Sequence, residues 1–117
     1  MNIDGATLAS SMHGTHVIVT VTGEIDVFNA ARLMTLVEDA VPQEAHGAVL
    51  DLTGVAFLDS TAIRKLFALT SRLTERRQLV RVVTPGGSTV LRTLELVEFE
   101  RAAPMHGSLE EALEQIA

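Results

Sequence analysis

Asp59, Ser60 and Thr61 bring one carboxylate and two hydroxyls to the point where the apolar run 48–52 and the turn after it give way to a helical pattern. Side-chain oxygens of these types accept the orphan N–H groups of a first helical turn, so capping alone accounts for the triplet. The same N–H groups and the helix dipole favour negative charge, and a phosphoryl group on a hydroxyl is easily accommodated there. Such a group adds about −1.5 to −2 charge at pH 7. The helix end offsets part of that charge, Asp59 repels it, and a partner lying flat on this surface loses contact. The chemistry predicted is a docking switch on Ser60, with Thr61 as a second candidate hydroxyl.

Other chemistries find less support. His13, His16, His46 and His106 lack the close spacing of a helical zinc site. His13 and His16 flank a turn, where solvent exposure explains them. A Ser/His/Asp hydrolase needs a Gly-x-Ser-x-Gly elbow. Ser60 sits instead in Leu58-Asp59-Ser60-Thr61-Ala62, without the glycines. Pro85-Gly86-Gly87-Ser88 precedes a helical stretch but lacks the glycine–lysine spacing of a phosphate-binding loop. Asp26, closing Gly23-Glu24-Ile25-Asp26, is by itself a turn or cap residue. No metal, cofactor or catalytic site is expected.

The bulk numbers describe an ordinary globular core. At 117 residues the chain is expected to form one domain, 1–117, able to bury roughly two-thirds of its unfolded surface. It contains no Cys, which fits a cytoplasmic protein and excludes thiolate and disulfide chemistry. No apolar run approaches the ~18 residues of a membrane span, and the first fifteen residues hold Asp4 and no cation, unlike a signal peptide. A net charge of −6 and an absence of Trp and Tyr argue against nucleic acid. The charge is uneven: Arg64, Lys65, Arg72, Arg76, Arg77, Arg81 and Arg92 face only Glu75 in the middle of the chain, and an acidic tail follows. That distribution suits a solvated helix face before an acidic terminal helix, or one face shaped for a charged partner.

Positioning falls to alternating strands and helices. Residues 15–22 place Val17, Val19 and Val21 on one side, a strand pattern that Gly23 ends. Asn29 is expected to cap a helix reaching about Val41, before Pro42. Ala48–Leu52 reads as a central strand and Thr61–Arg76 as a helix with the stripe Ala62, Ile63, Leu66, Phe67, Leu69 and Leu73. Leu79–Val83 is a further strand, Ser88 caps a helix through Leu94, and residues 99–102 suggest a last short strand. Ser108-Leu109-Glu110-Glu111 opens a terminal helix as a capping box. Residues 2–10 read as an edge strand that pairs antiparallel with 15–22. The alternation after residue 46 predicts an α/β layer arrangement with parallel pairing.

Two segments together resemble the STAS domain family, anti-sigma factor antagonists among them. Gly23-Glu24-Ile25-Asp26 before a helix is similar to that family's Gly-Glu-Leu-Asp element. Leu50-Asp51-Leu52 through Phe57-Leu58-Asp59-Ser60-Thr61 is similar to its central strand and Asp-Ser-(Ser/Thr)-Gly-Leu-Gly turn. Ala62 and Arg64 stand where the family pattern carries glycine. The resemblance spans nearly the whole chain and implies an α/β fold, a mixed sheet with helices packed mainly on one face. It implies a partner, an ATP-binding serine kinase that doubles as an anti-sigma factor. The unphosphorylated antagonist binds that kinase and frees a sigma factor, the kinase phosphorylates Ser60, and a phosphatase resets it. Asp26, Asp59, Ser60 and Thr61 are the partner-binding residues so implied; Arg64, a departure from the pattern, is added to them as a cation that could pair with an acidic group of a different partner or with the phosphate itself. Two alternatives stand beside this one: a non-switching STAS scaffold or soluble accessory subunit of a transporter, favoured by Arg64, and a small nucleotide-binding domain or enzyme.

Overall fold

Val17, Val19 and Val21 are buried on one side of a strand while Ile18, Thr20 and Thr22 are only half-covered, so the period-two pattern sorts this segment as expected. It belongs to β3 (His16–Ile25) in a computed structural model that describes residues 1–116. The other strands are β1 (Asn2–Ile3), β2 (Ala6–His13), β4 (Gly47–Leu58), β5 (Leu79–Val83) and β6 (Met105–His106). They form one mixed sheet in chain order, with β1–β2–β3 antiparallel and β3–β4–β5–β6 parallel.

Because the parallel strands advance in a single direction, right-handed crossovers put every connecting helix on the same face. Those helices are α1 (Ala30–Ala40), α2 (Ser60–Glu75) and α3 (Thr89–Leu96). Leu33 and Val37 of α1, Leu66, Leu69 and Leu73 of α2 and Leu94 of α3 join Val19, Leu50 and Val82 in one apolar core. No crossover binds the last helix, α4 (Leu109–Ile116). It packs on the opposite face, where Ala112 meets Val49 and Val83.

Several boundaries differ from the sequence reading. β3 does not stop at Gly23 but runs on to Ile25. Gly23 takes a φ of +99°, and a Cβ there would strike the Gly5 carbonyl oxygen on the neighbouring turn. Glycine is thus demanded by close approach inside a strand. β4 extends past Leu52 to Leu58 through two register shifts against β3, between Thr20 and Thr22 and between Gly23 and Glu24. The extra residues break the side-chain alternation, so this half of the strand reads as a turn. Residues 99–101 form a 3-10 turn carrying the buried Phe99 against Phe67, and the last strand lies at Met105–His106.

The central basic run does not make one face. Arg72 pairs with Glu38 at 2.7 Å, Arg76 donates to the Val41 carbonyl at 3.0 Å, and Arg81 meets His106 across the sheet. Ser108 caps α4 through the Glu111 N–H, but the Glu111 carboxylate turns to His106 at 3.4 Å rather than closing a reciprocal box. His16 is a further correction: it is only 8 % exposed. Burial foremost, then the nearby His46, Arg81 and His13, pulls its imidazole below the usual histidine range.

Candidate functional site

Ile25 and Leu58 form the last rung of the β3–β4 ladder, so Asp26 and Asp59 leave the sheet side by side. This brings the two sequence motifs together at the carboxyl ends of adjacent parallel strands, although 32 residues separate Val27 from Asp59. The Asp59 N–H donates to the Ile25 carbonyl at 3.2 Å. Its carboxylate then spans the gap: Oδ1 accepts the Ala62 N–H and Oδ2 the Val27 N–H, each at 2.8 Å. Asp59 is therefore the N-cap of α2, and the helix begins one residue earlier than its pattern indicates, at Ser60.

The loop from β3 to α1 is built with equal care. The Asp26 carboxylate accepts the Phe28 N–H at 2.9 Å, and the Asp26 N–H donates to Asn29 Oδ1 at 3.0 Å. Asn29 does not cap α1 with its side chain. It is buried, and its amide group donates to the carbonyls of Glu24 at 2.9 Å and Asp4 at 3.1 Å. Asn29 is thus an internal clamp that ties the β1–β2 turn, β3 and α1 together. Its N-cap residue type and its place before a helix hide that role, and nothing in the sequence distinguishes the two.

On this frame Ser60 occupies the first helical position and is exposed, while Thr61 is half-buried. Arg64 is exposed and donates from Nη2 to Thr61 Oγ1 at 3.4 Å. The backbone N–H of Val27 that reaches Asp59 carries with it two outward side chains: Val27 is 59 % and Phe28 84 % exposed. These two apolar residues are the feature that sequence reasoning missed. Their signal was a Val-Phe pair in a turn, outside any apolar period. Hydroxyl, guanidinium and apolar side chains so arranged suit a protein contact; among the described residues no group of His, Asp or Glu is placed to hold a metal ion.

The Pro85-Gly86-Gly87 loop lies elsewhere, beside a cleft shared with Glu95, Glu100 and His106. Two carboxylates at that cleft disfavour phosphate. No described helix is long and apolar enough to cross a membrane.

A family model described as the STAS domain matches residues 8–112. The chain belongs to the STAS domain family. Among characterised relatives, the anti-sigma-F factor antagonist RsfB of Mycobacterium tuberculosis is 26 % identical over 110 residues, covering 94 % of this chain and 88 % of that protein. A crystal structure of an anti-sigma factor antagonist from Mycobacterium paratuberculosis superposes with a TM-score of 0.84 at 28 % identity, over 96 % of this chain and 94 % of that one. The antagonist SpoIIAA in its unphosphorylated form gives a TM-score of 0.73 at 15 % identity, over 94 % and 96 % of the two chains, a likeness of fold. In this STAS domain the mixed sheet carries three helices on one face, as the resemblance implied, with α4 alone on the other.

Proposed function

We propose that this STAS domain is an anti-sigma factor antagonist switched by phosphorylation of Ser60. In its unphosphorylated form it sequesters an anti-sigma factor serine kinase in the cytoplasm and so frees a sigma factor for transcription. ATP is bound by the partner, this chain performs no catalysis, and a phosphatase acting on phosphorylated Ser60 resets the cycle. The observation that carries the proposal is the exposed Ser60 hydroxyl at the first position of α2, on a turn that Asp59 locks beside Val27 and Phe28. The names of the mycobacterial relatives support the antagonist part of this reading.

A phosphate on this hydroxyl brings roughly two negative charges to the centre of a contact face without entering the core. It therefore alters docking while sparing the fold. Thr61, half-buried and engaged with Arg64, is the less accessible of the two hydroxyls. The test is fragment-ion mapping of the protein from its native host and after incubation with native lysate and ATP. One phosphoryl group on Ser60, with loss of kinase binding, supports the switch. A chain that stays unmodified overturns it and favours the passive scaffold, whose partner copurifies regardless of ATP.

A further inference from the structure

We propose that Arg64 is the in-chain counter-ion of a phosphoryl group on Ser60, so that phosphorylation withdraws a cation from the docking face as well as adding charge to it. The inference rests on Ser60 as the modified hydroxyl. Ser60 and Arg64 are four residues apart in α2, and a pitch of 3.6 residues per turn stacks them on one face. An acidic group N-terminal to the base is the better orientation for such a pair. The Arg64 guanidinium already points toward the first turn, donating to Thr61 Oγ1 at 3.4 Å.

Among the described residues no carboxylate lies within ion-pair distance of Arg64, whereas Arg72 and Arg101 each have one. The carboxylates at this end of the sheet, Asp26 and Asp59, are held by the N–H groups of Phe28, Val27 and Ala62. A phosphate offers three strong acceptor oxygens, and a guanidinium meets two of them with parallel N–H bonds. Lys65, five residues from Ser60, lies off that face. In the unmodified chain Arg64 is available to a carboxylate of the kinase. After phosphorylation it is engaged by its own helix, so the switch acts twice on one contact.

The test uses the full chain with phosphoserine incorporated at position 60 during synthesis, so it needs no kinase and stands apart from the outcome of the lysate experiment. The phosphorus resonance is titrated in this protein and in its Arg64→Gln and Lys65→Gln variants, at low salt and in 1 M salt. With Arg64 present the second phosphate ionisation is expected about 0.3 pH units lower than in Arg64→Gln, roughly a twofold change in proton affinity. The difference is expected to collapse in 1 M salt, and Lys65→Gln should titrate like the parent. Identical curves for the parent and Arg64→Gln at low salt overturn the proposal. So does an equal displacement in Lys65→Gln, which would mark a diffuse field rather than a pair.

Discussion

The Asp59 carboxylate receives the Val27 N–H at 2.8 Å, joining the end of β4 to the loop that leaves β3. Its other oxygen receives the Ala62 N–H at the same distance, so one side chain fixes a loop and starts a helix. Only a carboxylate of this length has a separate acceptor oxygen for each. The consequence for function is geometric: Ser60 is displayed on a turn whose two sides cannot drift apart.

Replacing Asp59 with Ala should cost about 1–2 kcal/mol, the usual range for losing an N-cap side chain. Asp59→Asn keeps one acceptor for the Ala62 N–H but turns its NH2 toward the Val27 N–H, so it should recover only part of that loss. Urea unfolding of the three proteins measures the series, and the midpoint should fall for Ala without a change of slope. Equal midpoints for Ala and the parent would show that the bridge adds no stability.

Asn29→Ala should be the more damaging change, although Asn29 carries no site chemistry. It removes the acceptor of the Asp26 N–H and the donor to the Glu24 and Asp4 carbonyls within a buried setting. Leaving such groups unpaired costs about 2–3 kcal/mol. A thermal scan should show a larger drop for Asn29→Ala than for Asp59→Ala. The reverse order would mean that Asn29 serves mainly as a helix-start residue.

Much of this arrangement was legible before the structure. The Val17/Val19/Val21 alternation, the apolar run 48–52 and the α2 stripe give the layers, since periodicity reports burial directly. That Asp26 and Asp59 belong to one partner surface was expected only through the resemblance; no local property places two turns side by side. What remained hidden depends on contacts across the sheet. The register shifts that prolong β4 beyond Leu52, the strand approach that demands Gly23 and the burial of His16 under α4's side of the sheet are all of that kind. Residue type also misleads where two uses overlap, as with Asn29.

His16 gives the fold a pH dependence of predictable sign. Burial, then His46, Arg81 and His13, lowers the imidazole's proton affinity in the folded chain. The unfolded chain therefore binds the proton more readily near the ordinary value of 6.5. Stability from this site is complete above that value and is lost as pH falls through it toward the lower folded value. Melting temperature should thus decline between about pH 7 and 5, and the decline should flatten in His16→Gln. Parallel slopes for the two proteins would assign the dependence to other groups.

Phe28 separates docking from folding. Its ring is 84 % exposed beside the Ser60 turn, so Phe28→Ser removes almost no buried area and should leave stability within about 0.5 kcal/mol. In the proposed complex the same ring would serve as an aromatic anchor next to the Ser60 hydroxyl, and truncating such an anchor commonly costs about 2 kcal/mol, or some 30-fold in affinity. Calorimetric titration of the serine kinase should show that loss for Phe28→Ser with the unphosphorylated chain. Because the anchor and the phosphate act on the same face, Ser60 phosphorylation should weaken the variant further rather than restore it. Unchanged affinity in Phe28→Ser, with Ser60→Asp still weakening the complex, would place the kinase on the α2 side of the turn, over Arg64.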